Sequence, residues 1–153
     1  MLELPHTIVG ATIATKIPNP LISLPLAFFS HFFLDLIPHW NPSLYSETKK
    51  FGKPTQRSTQ FVILDIILSL GAGFFIASRA LPNINQAIII VLACFTTVMV
   101  DVIEGFYFFL GIRTKFLENL IAFQHRYQRR VPVVPGIVVQ IVIILLFLGI
   151  LRF

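Results

Sequence analysis

The sequence predicts an all-α integral membrane protein, a single helical bundle over 1–153, and three observations predict it. Hydrophobic residues make up 56% of the chain and charged residues 12%, about half of the roughly 25% charged content of an ordinary soluble domain; mean hydropathy is +0.82. The apolar residues fall in long, nearly uninterrupted runs. Lys and Arg collect between those runs, in two stretches at 41–58 and 113–130, where basic loops mark the cytoplasmic side of a membrane protein.

The first element is a short helix over 5–17. Gly10, Ala11 and Ala14 give it a small-residue face suited to close helix packing. Pro18-Asn19-Pro20 ends it, because each proline lacks the N–H donor and disfavours a helical residue before it. It falls short of the roughly 20 residues that a spanning helix needs, so it is read as a partial helix packed against the others. Four longer runs, 21–38, 59–80, 84–111 and 135–152, are the predicted transmembrane spans. The first of these stops at Pro38. Within 113–130, Phe116, Leu117, Leu120, Ile121 and Gln124 recur on one helical face with basic residues elsewhere, the pattern of an interfacial amphipathic helix.

With both basic stretches in the cytoplasm and the turn at Pro82 outside, the protein is placed in the cell (inner) membrane, and Lys16 falls near the outer surface. No cleavable signal sequence is expected, since the N-terminus has no basic n-region and the first apolar run carries His6 and Lys16. The lone Cys94 lies inside an apolar run, which makes it a packing residue. The net charge of +5 flanks the spans, so the predicted partners are membrane lipids and not nucleic acid.

This topology, built from Lys and Arg alone, puts the other polar residues in depth. At about 1.5 Å per helical residue, His39 lies at the inner interface, Asp35 roughly 6 Å deeper and His31 roughly 12 Å deeper. Asp65, Asp101, Glu104, His6 and His125 fall in the same cytoplasmic half. Carboxylates in a membrane are costly and point to function. His31 and Asp35, four apart, share one helical face and can chelate one ion. Asp101 and Glu104 form an i, i+3 acidic pair, and bundles that hold metals draw such ligands from facing helices. The candidate metal ligands are therefore His31, Asp35, Asp65, Asp101 and Glu104, with His39 and His6 beside them. On a straight helix His39 lies too far from His31 to share an ion, so either Pro38 bends the chain inward or His39 serves a second ion or an outer shell. Mixed His and carboxylate ligation suits a divalent zinc, manganese or iron ion.

Ser30-His31-x3-Asp35 after an apolar run, behind an N-terminal helix that starts at His6 and carries Gly10 and Ala11, resembles the LexA-regulated, membrane-bound, predicted metal-dependent hydrolases. The resemblance covers mainly residues 6 to 40 and implies His6, His31 and Asp35 as metal-site residues. That family's Leu-Pro-Asp-x-Asp-His and His-Arg-Gly-x-Thr-His-Ser patterns are absent from this chain.

The function expected is a membrane-embedded, metal-dependent hydrolase working on a lipid or phosphoester from the cytoplasmic side. A divalent ion would supply an acidified water as nucleophile, and Glu104 or His125 would serve as general base. The cytoplasmic arginines Arg126, Arg129 and Arg130 suit a phosphoester, and Gln140 is expected to join the polar network. Two other classes use the same residues: a transporter or channel subunit with an ion or proton relay, and a structural membrane protein whose polar cluster locks helices together.

Overall fold

A computed structural model describes residues 1–151, so the predicted end of the last span at 152 lies outside the described residues. The apolar runs do form helices: α1 (Glu3–Lys16), α2 (Pro20–Asp35), α3 (Leu44–Phe51), α4 (Gln56–Ser78), α5 (Ile84–Leu110), α6 (Lys115–Tyr127) and α7 (Val133–Leu151). No β-strand forms among the described residues. Among the described residues, α4, α5 and α7 are long and apolar enough to cross a membrane. At 16 residues, α2 is shorter than these.

Two expected boundaries move. The predicted span 21–38 ends its helix at Asp35, because Pro38 disfavours helix at the residue before it. Leu36 and Ile37 instead close a tight turn onto Phe33 and Leu34. The amphipathic helix predicted over 113–130 ends at Tyr127. Beyond it, backbone bonds join His39 N–H to the Arg129 carbonyl and Val131 N–H to the His39 carbonyl, each 3.1 Å. The small helix α3 is an addition to the expected elements. It starts after Ser43 and stops at Gly52, whose left-handed φ of +79° a residue with a side chain rarely adopts.

The short α1 is the centre of the bundle, touching α2, α4, α5 and α7. Its small residues make this approach possible. Ala11 and Ala14 are fully buried, and a Cβ on Gly10 would collide with Thr97 Oγ1 and lie 2.8 Å from the Ala93 carbonyl oxygen. Ala27 of α2, Ala77 of α4 and Ala93 with Cys94 of α5 complete a core of small side chains around it. Ile8, Ile76 and Ile90 fill the same core, while many other large apolar side chains face outward, as Phe74 (60% exposed) and Leu145 (62% exposed) do. Where the solvent is hydrocarbon, small residues pack between helices and large ones meet the lipid.

The basic stretches meet at one end of the bundle, where Arg113 Nη2 donates to the Gly52 carbonyl at 3.1 Å. At the opposite end, Gln86 Nε2 donates to the Ala14 carbonyl at 2.8 Å.

Candidate metal centre

α1 brings its first turn, α2 its last, and α4, α5 and α7 their cytoplasm-predicted portions to one place, beneath α6. His6 and His31, both fully buried, stack face to face with ring centroids 4.5 Å apart. This pair lies between two carboxylates. On one side, Asp35 Oδ1 is 3.4 Å from His6 Nε2, and Asp35 Oδ2 is 3.6 Å from His31 Nε2. On the other, Asp101 Oδ2 is 3.8 Å from His31 Nδ1. One ligand atom each from His6, His31 and Asp101 lie within 4.8 Å of one another.

The two carboxylate sides differ in what already occupies them. On the Asp35 side, the α-ammonium of Met1 donates to Oδ1 and Gln128 Nε2 to Oδ2 at 2.9 Å. On the Asp101 side, neither His31 Nδ1 nor Asp101 Oδ2 has a hydrogen-bond partner among the described residues, and neither ring nitrogen of His6 makes a hydrogen bond, its Nε2 facing Asp35. Glu104, buried one turn beyond Asp101, likewise leaves Oε1 without one. Buried polar atoms are ordinarily satisfied, so this concentration of open donors and acceptors marks a place built to receive something.

The amides of α6 fix the histidine tautomer. Gln128 Nε2 donates to Asp35 and also, at 3.2 Å, to Gln124 Oε1. Gln124 therefore turns its Nε2–H to His31 Nε2, 3.0 Å away. That nitrogen accepts, so the His31 proton sits on Nδ1, facing Asp101. His39 is set in the same manner. Its Nδ1–H donates to the Ile37 carbonyl at 2.8 Å, which leaves the Nε2 lone pair open, 3.9 Å from Asp35 Oδ1. A ligating histidine typically donates its other N–H to a backbone carbonyl in this way. Burial lowers the His39 pKa to about 4, helped by the nearby α-ammonium, so the ring is neutral at ordinary pH.

No family of known proteins, no curated protein and no solved structure matches the chain. The arrangement has to be understood from its own residues.

The chain turn after Asp35 removes His39 from the α2 axis and leaves it beside Asp35, outside the His6, His31 and Asp101 group. Gly136 makes the seat: a Cβ there would collide with the Trp40 backbone. Gln140 spans the gap, accepting from Leu2 N–H at 2.9 Å and donating to the Trp40 carbonyl at 2.8 Å. Asp65, expected as a metal ligand, is placed differently. Its two oxygens accept the backbone N–H groups of Glu3 and Leu4 at 2.5 and 3.2 Å, capping α1 from a neighbouring helix. His125 lines the cavity mouth, stacked on Tyr45 at 4.3 Å between centroids. Partial burial and the nearby Arg130 and Lys49 charges hold its pKa below the ordinary histidine value.

Three participants were not singled out from the sequence. Glu3 lines the cavity with a buried, unpartnered Oε2; its spacing from His6, three residues along α1, is the signal that could have found it. Gln124 was read as part of an apolar face, and its i, i+4 relation to Gln128 was the clue to the amide chain. Met1 carries no sequence signal of this kind. Asp101, Glu104, Gln124, His125 and Arg130 line one cavity of about 100 Å³ with Glu3.

Proposed function

We propose that this chain is a membrane-embedded, metal-dependent hydrolase whose centre is held by His6, His31 and Asp101. The observation that carries the reading is the convergence of ligand atoms from these three residues within 4.8 Å, in a place where His31 Nδ1, Asp101 Oδ2 and both ring nitrogens of His6 are buried without a hydrogen bond. Ligands around a tetrahedral zinc-type ion lie about 3.5 Å apart, so the side chains close inward by up to about 1 Å on binding. Two imidazoles and a carboxylate suit zinc, manganese or iron. The ion's charge also offsets the cost of keeping Asp101 ionised away from water.

Once bound, the ion supplies Lewis acidity and an acidic water at neutral pH. The chain's own residues do the rest. Glu104, buried with an open oxygen in the same cavity, is the candidate general base, able to take a proton at Oε1. His125 at the mouth is the second candidate. Arg130, which lines the opening, is placed to orient a phosphoester. His31 would ligate through Nδ1 once its proton moves to Nε2 and the Gln124 amide turns its oxygen there. Because histidine ligates only through an unprotonated nitrogen, metal affinity falls as pH falls.

In this reading α2 joins α4, α5 and α7 as a fourth crossing, in the cell (inner) membrane. The two basic stretches at the same end as the cluster support a site that faces the cytoplasm. Metal analysis of the purified full chain tests the proposal, paired with hydrolysis assays on phosphodiester and carboxylester probes. Stoichiometric divalent metal that is lost in His6→Ala supports it. A wild-type chain that takes up no divalent ion ends it.

A further inference from the structure

A second cavity, about 540 Å³, lies beside the first between α4 and α5, with Thr7 of α1 at its base. Its walls are apolar side chains at helical spacing: Val62, Ile66 and Leu70 on α4, and Val91, Val98 and Phe106 on α5. It opens sideways, among exposed side chains such as Phe74 and Phe95, that is, toward the bilayer and not toward either aqueous end. Its polar groups are few; one of them, Asp101, belongs to the metal cluster, and another, Glu3, also lines the first cavity. Glu3, Val62, Asp101, Gly105 and Phe109 line both cavities, so the groove abuts the first cavity and reaches the cluster at Asp101.

We propose that this groove seats one acyl chain of a bilayer lipid, whose polar part enters the His6–His31–Asp101 cluster past Gly105. Three features select a lipid. The groove is apolar along its length and charged only where it meets the cluster. It faces the side from which lipid arrives. Along α5 the lining runs from Val91 to Leu110 with Asp101 near its middle; the part from Asp101 to Val91 is about 15 Å at 1.5 Å per residue, roughly half of the 30 Å hydrocarbon core, the depth of one leaflet's chain. Gly105 is the neck. A Cβ built there meets no heavy atom within 4 Å, so the passage is open on the side where a larger residue would stand. The inference rests on the reading of the cluster as a metal-dependent hydrolase and names the substrate class for it.

The experiment reads lipid position and metal content separately. The full chain is reconstituted in phosphatidylethanolamine and phosphatidylglycerol vesicles doped with a phospholipid carrying a diazirine in its acyl chain. Cross-links are mapped by mass spectrometry, and metal is quantified in the same samples. The expected result is labelling of the groove around Val98 and Cys94 about tenfold above the outer face of α7 at Leu145 and Leu146. Val98→Trp, which fills the groove, removes that excess. Gly105→Leu adds a better helix former at a position with free space; it keeps labelling near Val91 and loses it at the Asp101 end. If Val98→Trp does not fold, Gly105→Leu alone makes the distinction. Labelling that is even over α4, α5 and α7, or groove residues cross-linked to a second copy of the chain, overturns the proposal while the metal result stands on its own. Groove labelling in a chain that binds no metal keeps the lipid site and removes the hydrolase.

Discussion

The α4 wall and the α5 wall of the centre both present carboxylates well inside an apolar helix, and they use them in opposite ways. Asp65 on α4 accepts two backbone N–H groups from the start of α1. Asp101 and Glu104 on α5 keep oxygens that nothing among the described residues satisfies. Asp65 has become a helix cap supplied in trans, doing for α1 what the Leu2 side chain at its N-cap does not. Asp101 and Glu104 are left for a ligand. A buried carboxylate therefore says little by itself. What decides its role is whether another helix delivers free backbone amides to it, and only the four N–H groups at a helix start are available for that.

The largest expected effect breaks this contrast on the α4 side. Asp65→Ala removes two charge-assisted bonds, each worth roughly 1.5–3 kcal/mol, and frees the start of the central helix. Thermal unfolding in detergent should show a loss of about 3 kcal/mol or more; a change near zero would mean that the cap does not hold α1. On the α5 side, Asp101→Asn should leave thermal stability nearly unchanged, because an isosteric neutral amide is easier to bury than an unpaired charge. The same variant should weaken divalent-ion binding by more than the roughly 100-fold seen when an outer-shell partner is lost. Equal stability losses in the two variants would erase the distinction.

The smallest effect comes from a third carboxylate, outside the spans. Burial alone would raise the Glu47 carboxyl, but the Thr55 N–H at 2.7 Å and the Ser58 hydroxyl at 2.7 Å outweigh it and bring the pKa below its ordinary value. The stabilisation is thus present above the unfolded value of about 4.3 and is lost as pH falls through the lower folded value. The protection of the Thr55 amide, taken relative to the intrinsic exchange rate at each pH, should fall only below about pH 4. Protection already lost at pH 6 would show that Glu47 does not hold the start of α4.

Much of the molecule could be read before any coordinates. Apolar runs of spanning length fixed the helices, since hydrocarbon permits a helical backbone and little else. Gly10, Ala11 and Ala14 announced a close-packed α1, because only small side chains let backbones approach that far. The histidines and Asp101 were placed at one end by the positions of Lys and Arg. Other features were out of reach of spacing. His31 and Asp35 looked like the sharpest pair, because periodicity reports which residues share a face of one helix. It does not report what a second helix brings to that face. The Met1 α-ammonium and Gln128 occupy Asp35, whereas the carboxylates with open oxygens are Asp101 and Glu104.

By itself, then, the sequence determined an all-α chain with apolar runs long enough for a membrane, a small-residue central helix, and the residue types that meet at its polar end. The tertiary structure decided which of them are spent on holding helices and which remain open. That division depends on hydrogen-bond partners more than 60 positions apart, as in Glu3 with Asp65. No local pattern encodes such a partner, because the free amides of α1 find their acceptor only once α4 is packed beside them.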